Sequence, residues 1–255
     1  MENAFGQPQN VVIFGGSSDI ARAITKKLCA ARAHTVILAG RSQDLLHAAA
    51  LEAQEYGAPK TDTVLFDATD PSNAEVTVSE AFEKVGDQID LVIIAVGLLG
   101  NQMDDQDSAS ASADLITVNV TWPVAALAEI RRRLIDQGSG RILVISSVAA
   151  IRVRENAYLY SGAKAGLDRV CVGLAQSLEG TGVKLQLLRP AFVRTKMTVG
   201  AAEPPFTTGA NEVAENVMRG LASNDDVIWS PPILRYVSFI IRHLPTPIWR
   251  KVANR

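Results

Sequence analysis

Short apolar runs recur along the chain, separated by longer stretches in which apolar residues return every three or four positions. The runs Val11–Phe14, Thr35–Ala39, Thr63–Phe66, Leu91–Val96, Arg141–Ser146, Lys184–Leu188 and Val227–Ser230 are β-branched and too brief for helices, which predicts strands. Most are continuously apolar instead of alternating, as parallel strands covered on both faces must be. After the first run, Ile20, Ile24, Leu28 and Ala31 fall on one stripe of a helix. Asp70–Pro71 and Gly138–Ser139–Gly140 punctuate the connections, which look short. Strand and helix alternate almost to the end, so the expected fold is α/β, a single doubly wound domain with a mostly parallel seven-stranded sheet. Residues 1–231 form the expected body and residues 232–255 a basic amphipathic C-terminal segment.

That segment places Ile233, Leu234, Val237, Ile240, Ile241 and Leu244 on one helical face. Arg235, Ser238 and Arg242 fall opposite, and Phe239 is expected to be partly exposed. From Ile233 onward there are five cations (Arg235, Arg242, Arg250, Lys251 and Arg255) and no acid, a composition that suits an anionic membrane surface. A segment that covers a pocket or meets another subunit would carry the same apolar face.

The 255 residues are 47% hydrophobic and 20% charged, as expected of a folded domain with a large core. A formal charge of −2 provides no positive field for phosphate backbones, so a nucleic-acid partner is not expected. Cys29 and Cys171 are expected to be buried thiols in a reducing compartment. Met1–Asn10 is short and polar and shows no secretory leader, and no stretch approaches the ~20 apolar residues of a membrane span. A cytoplasmic protein is expected, with the C-terminal segment free to touch a membrane.

The first strand runs directly into Gly15–Gly16–Ser17–Ser18–Asp19–Ile20–Ala21 and then a helix. Glycines there let backbone approach a pyrophosphate, and the helix N-terminus offers unpaired N–H groups to it. An ordinary β–α turn could look the same. Downstream, Tyr160–Ser161–Gly162–Ala163–Lys164 places a phenol and an ammonium on one helix face, and Ser147 precedes Tyr160 by thirteen residues. Asn119 lies in the helix before, and Arg189–Pro190–Ala191–Phe192–Val193–Arg194–Thr195 follows the sixth strand.

Together these segments resemble the short-chain dehydrogenase/reductase family, a Rossmann-like fold, over roughly residues 10–230. Gly15 stands at the first glycine of its T-G-x-x-x-G-x-G loop, while Phe14, Asp19 and Ala21 replace its threonine and other two glycines. Asp19 would repel phosphate and is expected to aim away as a helix cap. Ile94–Ala95–Val96–Gly97 replaces N-N-A-G, and Ala191 replaces the glycine of P-G-x-V-x-T. The resemblance implies hydride transfer between a nicotinamide dinucleotide and a carbonyl or alcohol. Tyr160 would donate the proton, Ser147 would orient the carbonyl, Lys164 and the oxidised nicotinamide would lower the phenol's pKa, Lys164 would also hold the ribose, and Asn119 would anchor a water. It also implies cofactor contacts from Gly15, Ser17, Ser18, Asp19, Ile20, Arg41, Asp67, Ala68, Ala95, Gly97, Tyr160, Lys164, Val193 and Thr195, no metal, and a homo-oligomer.

Arg41 follows the second strand without an acid before it, a cation placed to meet the 2′-phosphate of NADPH, although a solvated surface arginine fits as well. One branch of the family is similar in Gly97–Leu98–Leu99–Gly100, Arg152–Val153–Arg154, Tyr160–Asp168 and the basic tail: the decaprenylphosphoryl-2-keto-pentose reductases of arabinan precursor synthesis. That branch implies NADH, a lipid-linked sugar substrate, a flavin-dependent oxidase partner and a role in cell-wall biogenesis. Arg41 keeps NADPH slightly ahead. Arg152 and Arg154 are candidates for a substrate phosphate, and Lys196–Gly209, with Pro204–Pro205, for a substrate lid. Two alternatives stand: a same-fold reductase of a small soluble carbonyl or ketoacyl substrate, and a non-catalytic dinucleotide-binding scaffold suggested by the eroded glycine loop. An intact Ser147, Tyr160, Lys164 and Asn119 set argues against the scaffold.

Overall fold

Runs of branched aliphatic residues find partners on both sides in the computed structural model, which describes residues 7–253. The central strands are β1 (Asn10–Phe14), β2 (Thr35–Gly40), β3 (Lys60–Leu65), β4 (Leu91–Ile94), β5 (Gly140–Ile145), β6 (Val183–Pro190) and, near the end, β9 (Val227–Ser230). They form one seven-stranded sheet in the order β3-β2-β1-β4-β5-β6-β9, and every pairing is parallel. A short parallel pair, β7 (Val193–Arg194) and β8 (Thr208–Gly209), lies apart from it. All seven predicted strands are present. The largest shift is at β3, which starts three residues earlier than expected and leaves Phe66 beyond its end; as an edge strand it tolerates the polar Lys60 and Asp62.

Helices cover both faces. Helices α1 (Asp19–Ala30), α2 (Gln43–Glu55) and α8 (Ala210–Ser223) bury Ile24, Leu28, Leu46 and Val217 with Val11, Ile13, Val36 and Leu38 of the sheet. Opposite, α3 (Ala74–Val85), α6 (Trp122–Gln137) and α7 (Tyr158–Ser177) pack with Val12, Phe14, Ile37 and Val144. Successive strand residues therefore serve opposite cores, the reason their runs are apolar throughout. Cys29 and Cys171 are free, buried, and on opposite faces of the sheet.

Between β4 and α6 come α4 (Gln102–Asp105), α5 (Ala109–Ile116) and a π-turn at Thr117–Thr121, giving one helical run from Ala109 to Gln137. By length and composition this run is apolar enough to cross a bilayer, contrary to the expectation that no stretch came near. Its Trp122, Ala126, Leu127, Ile130 and Leu134 belong to the core of one sheet face, which accounts for the composition. Gly138 ends it at φ 80°, in the left-handed region that glycine enters without strain.

The C-terminal α9 (Leu234–His243) and α10 (Thr246–Ala253) depart from the expected amphipathic pattern. Leu234 and Ser238 are buried, whereas Ile240 and Ile233 are 60% and 49% exposed. Polar Ser238 thus faces inward and apolar Ile240 outward, because the helix docks through a narrower stripe than its composition suggests. The leader-free stretch read at the N-terminus includes residues 1–6, which lie outside the described residues, as do Arg255 and the side chain of Arg250.

Candidate active site

From the sheet centre the chain winds one way through β1, β2 and β3 and the other way through β4, β5, β6 and β9. Such a reversal opens a crevice at the carboxyl ends of the strands. Nearly every residue singled out in the sequence follows a strand at this edge: Gly15 after β1, Arg41 after β2, Asp67 and Ala68 after β3, Ala95 and Gly97 after β4, Ser147 after β5 and Val193 after β6.

Gly15 and Gly16 donate their N–H groups to the Ala39 carbonyl, at 2.8 and 3.0 Å, folding the loop over β2. Gly15 has φ +85°, and a Cβ there would lie 2.6 Å from the Ala95 carbonyl oxygen; at Gly16 one would lie 2.9 Å from Leu38 Cβ. This close-packed turn survives the loss of the other family glycines. Beneath it, Phe14 fills the threonine position by packing against Phe66 and Trp122, with ring centroids 6.1 and 5.7 Å away.

Helix α1 begins at the loop, and Ser18 caps it by accepting from the Ala21 N–H at 3.2 Å. Asp19 is therefore not the cap that was expected. Its carboxylate turns out of the turn to accept from the Lys196 N–H at 2.6 Å, tying the start of the 196–209 segment to the glycine loop. Ser17 precedes Ser18, and Ile20 is the second residue of α1. First-turn N–H groups lack intrahelical acceptors, and the glycines beside them, whose own N–H groups are taken by Ala39, carry no side chain to obstruct a pyrophosphate. Arg41 is exposed at the end of β2. Asp67 accepts from the Thr69 N–H at 2.9 Å, and this contact, with Thr69's hydroxyl and nearby Arg41, holds its carboxyl below the usual range.

Asn119, Ser147 and Lys164 are buried and converge with Tyr160 beyond β4 and β5. The Lys164 Nζ sits 5.9 Å from the Tyr160 ring centroid and donates to the Ile145 carbonyl at 3.3 Å. A Cβ on Gly97 would lie 3.3 Å from both Asn119 Oδ1 and Lys164 Nζ, so the retained glycine is where the two side chains meet backbone. The π-turn carries Asn119 inward, where Nδ2 donates to the Leu98 and Leu115 carbonyls at 2.7 and 2.9 Å. Ser147 Oγ accepts from the Ala149 N–H at 3.1 Å, which orients the oxygen and leaves its hydroxyl proton to the Tyr160 phenol beside it.

Burial pushes the Tyr160 phenol above its ordinary pKa, and Ser147's hydroxyl draws it only partly back. Lys164 is not among the groups that lower the phenol here; the expected lowering belongs to Lys164 together with the oxidised nicotinamide. Burial also lowers Lys164 to about 8.

Behind this cluster is a network that the sequence did not signal. Asp168, one turn past Lys164, receives a two-pronged contact from Arg189 Nε and Nη2 at 2.9 and 2.7 Å and the Ser146 hydroxyl at 2.8 Å. Both charged groups are buried, and Arg189 lies 5.0 Å over the Trp229 ring. Asp168 and Arg189 thereby lock the ends of β5 and β6 to α7.

Val193 is buried in β7 and its carbonyl accepts from Thr198 at 2.7 Å, while Thr195 starts the turn that leads into the 196–209 segment. The β7–β8 pairing closes the neck of that loop, and Arg194 holds Glu203 across it at 2.8 and 2.9 Å. Arg152 is not available to a substrate phosphate: it donates to the Ile241 and Leu244 carbonyls at 2.8 and 2.5 Å and stacks over Trp249. Arg154 remains exposed. No group of three or more metal-binding side chains occurs among the described residues.

The family profile described as short chain dehydrogenase matches residues 9–204. An uncharacterized oxidoreductase of Mycobacterium tuberculosis is 35% identical over 244 residues, covering 96% of this chain and 97% of that protein. Another, from Streptomyces coelicolor, is 34% identical and covers 99% of each. Among solved structures, a short chain dehydrogenase from Burkholderia cenocepacia in complex with NADP superposes with a TM-score of 0.80 at 16% identity, covering 96% of this chain and 98% of that one. A 7beta-hydroxysteroid dehydrogenase gives 0.81 at 20%, covering 96% and 97%. At these identities the solved structures speak to the fold alone.

Proposed function

Since the chain belongs to the short chain dehydrogenase family and is an NAD(P)-dependent dehydrogenase/reductase, we propose that it reduces the ketone of a 2-keto-pentose carried on polyprenyl phosphate. The product would be decaprenylphosphoryl-arabinose, the second step of a ribose-to-arabinose epimerisation in cell-wall synthesis, after a flavin-dependent oxidase partner. The observation that carries the reductase reading is the meeting of Asn119 and Lys164 at Gly97, with Tyr160 beside Lys164 and Ser147 hydrogen-bonded to Tyr160.

Gly15, Gly16 and the first turn of α1 would hold the pyrophosphate, Asp67 and Ala68 the adenine side, and Ala95, Gly97, Val193 and Thr195 the nicotinamide side. When bound, the nicotinamide supplies a hydride to the carbonyl carbon. Negative charge would then grow on the carbonyl oxygen, and the Ser147 hydroxyl would turn its hydrogen bond to it. Tyr160 delivers its phenolic proton to the same oxygen and completes the alcohol. A phenol pushed up by burial stays protonated at neutral pH but is a weak acid, so the cations beside it would have to stabilise the phenolate as its proton leaves. Lys164 in its ammonium form would hold the ribose hydroxyls and stabilise the resulting phenolate. Arg41, exposed where a 2′-phosphate would lie, supports NADPH over NADH; the Burkholderia cenocepacia neighbour was solved with NADP, and one from Burkholderia phymatum with NAD.

For the substrate, support comes from the branch-like segments and from the site's surroundings. Tyr158, Met197, Val199 and Phe206, in the segments flanking Tyr160 and Thr195, are exposed apolar side chains suited to a prenyl tail. The test couples the enzyme to a flavin oxidase acting on decaprenylphosphoryl-ribose, with NADPH or NADH. Formation of the arabinose epimer is expected. Cofactor oxidation with small soluble ketones but none with the lipid-linked ketone would overturn the substrate and keep the reductase.

A further inference from the structure

We propose that the outward face of α9, continued by Ile248 of α10, is a docking surface for an anionic lipid bilayer. The inference starts from which side of α9 is covered. Leu234 and Ser238 are buried and Val237 and Ile241 half-buried, so these hold the helix to the body. The opposite side should be polar in a helix that meets only water. Instead Tyr236 is 67%, Phe239 68% and Ile240 60% exposed, with Ile233 beside them. Positions 233, 236, 239, 240 and 243 form one helical stripe, and the Phe239 and His243 rings touch at 4.6 Å between centroids.

Charge selects the occupant. Residues 233–255 contain Arg235, Arg242, Arg250, Lys251 and Arg255 and no Asp or Glu, on a chain whose formal net charge is −2. All 27 acids lie before residue 233, so the segment is positive while the rest of the chain is net negative. Arg235, Arg242 and Lys251 are exposed, and aromatic and aliphatic side chains bordered by cations match the interface of an anionic bilayer. A second copy fits worse. In a two-fold contact the patch meets itself, and the segment has no acid to pair with its own cations.

The patch is also fixed to the reaction centre. Arg152, between Ser147 and Tyr160, caps the last turn of α9 through the Ile241 and Leu244 carbonyls. Trp249 of α10 donates from Nε1 to the Val153 carbonyl at 3.2 Å, and the Arg152 guanidinium lies 5.1 Å over its ring. A bilayer on α9 would hold the loop beside Tyr160 at a set distance from the lipid.

The docking surface does not depend on the lipid-linked substrate, and its test uses none. The full chain is sedimented with vesicles of phosphatidylcholine, with and without phosphatidylglycerol, alongside Y236S/F239S/I240S and R235E/R242E. Wild type is expected to bind the anionic vesicles at least about tenfold more tightly than the neutral ones, and each variant to lose about tenfold or more while binding NADPH as wild type does. R235E/R242E decides the matter if the triple variant does not fold. A wild type left in the supernatant with anionic vesicles, or vesicle binding that both variants retain, overturns the proposal. So does a concentration-dependent dimer, seen by sedimentation velocity, that Y236S/F239S/I240S dissociates.

Discussion

Replacing Lys164 with methionine removes an ionisable group buried against Gly97 and leaves a side chain of similar length. Burial lowers Lys164 from 10.5 to about 8. At 1.36 kcal/mol per unit, that separation corresponds to about 3 kcal/mol of stability withheld while the ammonium is buried. Below pH 8 both native and unfolded chains bind this proton, and the cost is fully present. Between about pH 8 and 10.5 only the unfolded chain holds it, so this group's contribution to stability rises with pH and then levels off. Urea unfolding of wild type and Lys164→Met, without cofactor, should show a difference that shifts in favour of wild type by about 2 kcal/mol from about pH 7.5 to about 9.5. Other titrating groups are shared and cancel. A difference constant to within about 0.5 kcal/mol would mean that the ammonium is well solvated, and the reasoning about its burial would fail. Cofactor affinity should fall over the same range in wild type, because the proposed ribose contact needs the charged form.

Three further outcomes are expected. Tyr160→Phe should lower turnover by roughly 10²–10⁴ while NADPH affinity, read by fluorescence titration, stays within about threefold; unchanged turnover removes the phenol from the chemistry. Arg41→Asp should lower the preference for NADPH over NADH by about tenfold, measured as the ratio of dissociation constants, and an unmoved ratio means Arg41 contacts no 2′-phosphate. Asp168→Asn leaves Arg189 buried without its counter-charge and should cost about 3–5 kcal/mol in urea unfolding, against well under 1 kcal/mol if water enters to solvate the guanidinium.

Much was decided locally and could be read along the chain. Continuous branched runs such as Val11–Phe14 and Leu91–Ile94 are buried on two faces whatever the rest does, and their alternation with helices leaves few topologies. Tyr160 and Lys164 share a face because the helical repeat puts them there, and Ser147 is near because one strand end feeds one helix start. Tertiary structure settled what depends on partners far away in sequence. Asp19 was expected to cap α1, but Lys196 takes its carboxylate and Ser18 caps instead. Arg152 was a free candidate for phosphate until α9 folded back and offered it two carbonyls. Asp168 and Arg189 looked like ordinary helix and strand residues, yet they pair across 21 positions in a buried network. The exposed face of α9 follows the same logic: periodicity shows that a helix is apolar on more than one side, but only packing chooses which side is covered. Backbone geometry repeats every few residues and leaves a trace in sequence, whereas a long-range contact joins two unrelated segments and leaves none.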